Sequence, residues 1–125
     1  AYMVNIPVDK LDNVLKEENI PKNFDIFILD VEGFEENVLK GFSLDDYKPK
    51  IVVIEIPDQH TDFVNNNNLM IKFKRLRTYF KKDYTLIVND IVDNVYIRND
   101  LINAENKNYR NYCSKLVKHS QFISN

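Results

Sequence analysis

The sequence predicts an α/β fold: a layered sheet with parallel strands and an antiparallel pair at one side. Three observations predict it. FDIFILDV (Phe24 to Val31) and IVVIEI (Ile51 to Ile56) are nearly continuous apolar runs, the pattern of strands buried on both faces. One short helical pattern separates them, so they read as a parallel βαβ unit with a right-handed crossover. YTLIV (Tyr84 to Val88) and VYIR (Val95 to Arg98) are joined by a connector too short for a crossover, so they read as an antiparallel pair.

The remaining elements follow in order. Ala1 to Val8 alternates loosely and has β character. Asp9 is placed to cap a helix whose apolar face is Leu11, Val14 and Leu15, with Asn19 near its end and Pro21 as its stop. Gly33 breaks the first strong strand. Phe34, Val38 and Leu39 then fall at helical spacing, Glu35 and Glu36 sit in the first turn where the macrodipole favours acids, and Gly41 occupies a C-cap position. Ser43 to Lys50 is a connector with room for a helical turn. Pro57 stops the second strand, and Asp58 to Asn68 reads as a polar loop. Leu69, Phe73, Leu76 and Phe80 are spaced for a helix over Leu69 to Lys82. Tyr109, Tyr112, Cys113, Leu116 and Val117 predict a last helix near Ala104 to His119, with Cys113 on its inner face.

Composition narrows the function. The 125 residues are 44% apolar and 29% charged, a globular balance rather than a disordered one. Length and composition suit one domain. The net charge of −2 gives no general attraction to nucleic acid. The longest apolar runs are too short to span a bilayer, and no leader pattern opens the chain. One cysteine excludes an internal disulfide and a multi-cysteine zinc site, and it fits a reducing, cytoplasmic setting. Two glycines, Gly33 and Gly41, cannot form GxGxxG or a P-loop.

Ligands of open parallel sheets bind beyond the carboxyl ends of the strands. That rule singles out Asp30 to Gly33 and Glu55 to His60. Asp30 ends an apolar strand and must be solvated, paired or used. Glu55 interrupts IVVIEI and must face a polar pocket or a partner. Glu32 reads first as an acid near a helix start. His60 lies in the loop after the second strand; a loop histidine is more often merely exposed, but beside two carboxylates it would serve as a proton acceptor. Glu32, Glu35 and Glu36 together would repel a phosphate, so a cation suits this place better than an anion. The basic residues Lys72, Lys74, Arg75, Arg77, Lys81 and Lys82 read as a solvated helix exterior.

VDKLDNVL, DIFILDVEGFEENVLKG and KPKIVVIEI, in that order and spacing, resemble the FkbM family of methyltransferases. YTLIVND and NVYIRND resemble its closing hairpin more loosely. The resemblance covers roughly Asn5 to Asp100. It implies a Rossmann-like class I methyltransferase sheet and an O-methyltransferase that uses S-adenosylmethionine on a hydroxyl of a sugar, glycoconjugate or similar small molecule. The family's glycine-rich cofactor loop and ribose-binding acid have no counterpart in these residues. By that comparison residues 1–125 form the carboxyl-terminal part of such a domain, and activity needs the part that carries the loop. Asp30 matches the motif acid at the junction of cofactor and substrate, and Val31 and Glu32 complete its loop. The resulting expectations are Asp30, Glu32 and His60 as catalytic residues and Asp30 and Val31 as cofactor contacts. No dedicated metal ligand set is expected, although a metal bridging Asp30 with Glu32 or His60 is chemically compatible.

Two other readings compete. One is a non-catalytic half-domain that serves binding or assembly. The other is a metal-dependent hydrolase using Asp30, Glu32 and His60, which the resemblance and the lack of further ligands disfavour. A half-sheet would leave an edge of FDIFILDV unpaired, so self-association, as a homodimer or as an irregular aggregate, is expected.

Overall fold

A computed structural model describes residues 2–103. In chain order the elements are α1 (Leu11–Glu17), β1 (Ile26–Leu29), α2 (Glu35–Lys40), α3 (Leu44–Tyr47), β2 (Ile51–Glu55), α4 (Asn67–Thr78), β3 (Tyr84–Asn89), β4 (Asp93–Arg98) and α5 (Asn99–Asn103). The strands form one mixed sheet in the order β1-β2-β4-β3, with β1 parallel to β2 and the other two pairings antiparallel. The helix foreseen near Ala104 to His119, and Cys113 with it, lies outside the described residues. Among the described residues no helix is long and apolar enough to cross a membrane.

One face of this sheet carries the core. Val52, Ile54 and Ile56 are fully buried, and Leu29 and Tyr96 stand beside them on the same face. Leu39 of α2, Tyr47 of α3 and Phe73 and Leu76 of α4 belong to the same buried cluster. Phe80, just past α4, stacks on Tyr96 with ring centroids 4.6 Å apart. Each fully buried Val or Ile stabilises the fold by about 1.5–3 kcal/mol relative to exposure.

The opposite face is more open, and here the structure corrects the sequence reading. β1 is shorter than Phe24 to Val31 and is not buried on both faces, since Ile26 is 51% and Ile28 64% exposed. A run of apolar residues does not reveal whether both faces find partners, and β1 pairs on one side only among the described strands. Residues 2–8 form no strand and are exposed.

The helix ends differ in smaller ways. Asp9 does not cap α1 through a backbone amide of the first turn: its Oδ1 accepts from the Lys10 amide and from Asn13 Nδ2, and Lys10 is the N-cap. Asn19 takes a left-handed φ of 53°, and the Ile20 amide donates to the Leu15 carbonyl, a Schellman ending. Gly41 ends α2 with φ −98°, so its need for glycine is not conformational. A side chain there would press on Lys10, whose Cβ lies 3.4 Å from the position a Cβ would take. α4 begins earlier than expected because the Asn66 side chain accepts from the Leu69 amide, and it ends at Thr78 rather than Lys82.

β3 contains a bulge. Leu86 pairs with Tyr96, yet Val88 pairs with Val95, so Ile87 is an extra residue and Val88 turns to the open face beside Val95.

A polar staple joins α4 to the sheet. Arg77 donates to both Asp58 oxygens at 2.7 and 2.8 Å, to the Tyr96 hydroxyl and to Asn94 Oδ1. Asn94 is fully buried, and its amide nitrogen donates to the Ile56 and Val92 carbonyls. Asn94→Ala is expected to cost about 2 kcal/mol, because the carbonyls and Arg77 lose a buried partner. Urea unfolding measures this, and the slope against urea should stay unchanged.

Candidate functional site

The chain leaves β1 at Leu29 and turns through Asp30 to Phe34 into α2. Two consecutive residues in this turn have left-handed backbones, Glu32 at φ 48° and Gly33 at φ 99°. No neighbouring atom crowds Gly33, so the backbone angle rather than space calls for glycine. Glu35, the first residue of α2, is 4% exposed. Its Oε2 accepts from the Gly33 amide at 3.0 Å and its Oε1 from the Val31 amide at 3.3 Å. Lys72 of α4 donates to the Gly33 carbonyl at 2.5 Å. Arg75 makes a two-point contact with Glu36, at 3.1 and 3.2 Å, and holds the Glu36 carboxyl below its ordinary range.

These contacts revise the reading of α4 as an all-solvated basic face. Lys72, Arg75 and Arg77 are tied to specific partners, which a one-dimensional charge pattern does not show.

Asp30 lies beside the end of β2. A carboxylate oxygen from each of Asp30, Glu35 and Glu55 falls within 4.8 Å of the others. Glu55 faces this place because Ile54 and Ile56, on either side of it, are fully buried on the opposite face. Its carboxyl is pushed up to about 7, first by burial, then by its hydrogen bond with Asp30, then by the charges of Asp30, Glu35 and Asp93. Asp93 is raised as well, by burial and by Asp90 and Asp30. Carboxylates at such spacing can share a cation or share protons. Both Glu35 oxygens already accept backbone N–H groups, and the Glu55 carboxyl close to Asp30 is pushed up to about 7, so proton sharing is the chemistry most directly built in.

The site opens onto a cleft of about 410 Å³ on the face of the sheet opposite the core. Ile28, Val53, Val88 and Val95 form an apolar floor, and Asp30, Glu55, Asp90 and Asp93 form an acidic rim.

The residues singled out in the sequence meet different fates. Asp30 sits at the centre. Val31 contributes its amide to Glu35, and Glu32 is exposed in the turn. His60 does not line this cleft: its Nδ1 accepts from the Asp62 amide and its ring packs 5.2 Å from Phe63. Neither Glu32 nor His60 belongs to the three-carboxylate group, which holds Glu35 and Glu55 instead. Glu55 was legible as a carboxylate interrupting a buried strand. Glu35 was missed as a site residue because an acid in a first helical turn is commonplace.

The raised Glu55 carboxyl gives stability a pH dependence. Its folded value lies above the unfolded one, so the folded state binds the extra proton, and stability falls as pH rises from about 4.5 to about 7. Glu55→Gln should match the wild type near pH 4 and melt higher by about 5 °C at pH 8, read by calorimetry.

The family described as Methyltransferase FkbM domain matches residues 2–86, more than half of the chain. No curated protein and no solved structure matches. Strand-end acid, glycine turn and matched span together assign the chain to the FkbM methyltransferase family.

Proposed function

We propose that the chain is the substrate-side, carboxyl-terminal part of a Rossmann-like methyltransferase domain, acting on a hydroxyl of a sugar, glycoconjugate or similar small molecule. The strand order β1-β2-β4-β3, with one parallel and two antiparallel pairings, supports the fold reading. The observation that carries the functional one is Asp30, at the carboxyl end of β1, with a carboxylate oxygen within 4.8 Å of Glu55 and of Glu35 at the rim of an apolar-floored cleft.

Methyl transfer to oxygen needs a hydroxyl held in line and a group that takes its proton. S-adenosylmethionine, when bound, supplies an electrophilic methyl on a sulfonium cation. The acidic rim fits a cationic cofactor, and Asp30 and Val31 are the residues that would lie beside it, short of the sulfonium itself. Gly33 and Gly41 do not make a glycine-rich loop, so these residues fit one end of that molecule. Asp30 is best cast as the group that orients the acceptor hydroxyl and receives its proton. A carboxylate pressed on the sulfonium would stabilise ground state and transition state alike. Glu55, with its carboxyl near 7, is poised to pass a proton to or from Asp30. Glu32 and His60 hold subordinate places in this reading, one in the Asp30 turn and one in the loop after β2.

Asp30→Asn keeps the shape and removes the base. In the full-length protein it should lower methyl transfer by about 10²-fold or more while the fold survives. A folded variant with near wild-type turnover would place the base elsewhere.

The second reading, an assembly module, is favoured by one observation: among the described residues β1 is an edge strand with Ile26 and Ile28 exposed. Edge-to-edge pairing would satisfy its free backbone groups and give a homodimer. Light scattering coupled to size exclusion on the 125-residue chain should then show a mass above one 14.8 kDa copy. A monodisperse monomer counts against this reading.

A further inference from the structure

The turn after Asp30 holds Glu32 in a backbone conformation that its own side chain does not favour. Glu32 is a non-glycine residue at φ 48°, followed by Gly33 at φ 99°. Such backbones persist when their surroundings over-determine them. Here the surroundings are specific. The amides of Val31 and Gly33 flank Glu32, and both donate to the one carboxylate of Glu35, which is buried and has few other ways to be satisfied. The Gly33 carbonyl points the other way and is taken by Lys72 from α4. The Phe34 amide closes the turn on the Val31 carbonyl at 3.3 Å. Glu35 is therefore clamped to the backbone on both sides of the left-handed Glu32, two residues after Asp30.

We propose that Glu35 is a positioning residue for Asp30, its carboxylate fixing the Val31–Gly33 turn so that the Asp30 side chain stays aligned with Glu55 at the cleft. Lys72 is the second hold on the same turn. The inference rests on the reading of Asp30 as the group that meets the acceptor hydroxyl, and it adds a role for a residue that touches neither acceptor nor methyl. A neutral amide cannot replace Glu35, because a Gln side chain offers one acceptor oxygen where two N–H groups must be met. Its second terminal atom would be a donor facing a donor.

The charge of Glu35 also leaves a signature that a merely structural residue would lack. Glu55 is faced by Asp30 from the end of β1, by Glu35 from α2 and by Asp93 from β4, and all three charges hold its carboxyl up. Asp90, before β4, lines the same rim. Removing the Glu35 charge takes away one of these contributions, so the Glu55 midpoint should fall from about 7.

The test uses Glu35→Gln and Lys72→Met in the full-length protein, with three measurements. Amide hydrogen exchange at Val31 and Gly33 reports the hold itself. It should quicken by about tenfold or more in Glu35→Gln, with Val52 and Ile54 unchanged. Carboxyl NMR should show a lower Glu55 midpoint in Glu35→Gln and an unshifted one in Lys72→Met. Transfer of a labelled methyl from S-adenosylmethionine to neutral methyl glycosides gives the third readout: kcat should fall by about tenfold or more in Glu35→Gln, with acceptor KM held within about twofold. Lys72→Met should show a smaller fall of the same kind. Unchanged exchange overturns the hold. Quickened exchange with unchanged kcat overturns the positioning role. A wild-type protein that transfers no methyl, alongside quickened exchange and a lowered midpoint in Glu35→Gln, overturns the reading of Asp30 and not the hold.

Discussion

The packing of Val52, Ile54 and Ile56 against the helical layer is the constraint from which the rest of the molecule follows. Those three side chains are fully dry, and β2 has bonded neighbours on both edges. Because strand side chains alternate, drying them turns Val53 and Glu55 to the other face. The position of Glu55 is thus a by-product of the core. The same parity sets Leu29 inward and Ile28 outward in β1, and it aligns Asp30 with the end of β2. The candidate site is built where the dry layer stops and the strands must end.

Electrostatics at that end is deliberately unbalanced. Four carboxylates rim the cleft, and the cations of α4 named above serve other partners. Arg75 is bound to Glu36, Arg77 to Asp58, and Lys72 to a backbone carbonyl. Glu55, half-buried among these acids, holds on to its proton, and Asp93 is raised in the same direction. A site of this kind responds near neutral pH without a histidine, and His60 stands apart from it, bonded to its own loop.

What the sequence made legible was whatever depends on local pattern. IVVIEI became β2, the spacing of Phe73, Leu76 and Phe80 became the inner side of α4 and its end, and the late pair of β runs became β3 and β4. Asp30 and Glu55 were visible because a charge in an apolar run demands a reason. The failures have one physical origin, that a pattern does not name its partner. FDIFILDV reads as buried on both faces although β1 has a partner layer on one. Arg77 looks like any solvated arginine until α4 is laid beside Asn94 and Tyr96. Glu35 looks like a helix-starting acid until the turn before it is known to be left-handed.

The bulge in β3 carries a consequence for how this chain can change in length. Without it, the ladder would continue regularly past Leu86, and Val88 would meet Asn94 on the packed face. With it, Ile87 and Val88 share one position opposite Val95. Elsewhere in the sheet, losing one residue would turn the remainder of the strand over and carry apolar side chains to the wrong side. Losing Ile87 would instead leave Leu86 paired with Tyr96 and Val88 paired with Val95, each on its present face. The bulge is a spare residue, the one place in this strand where an odd deletion preserves sidedness.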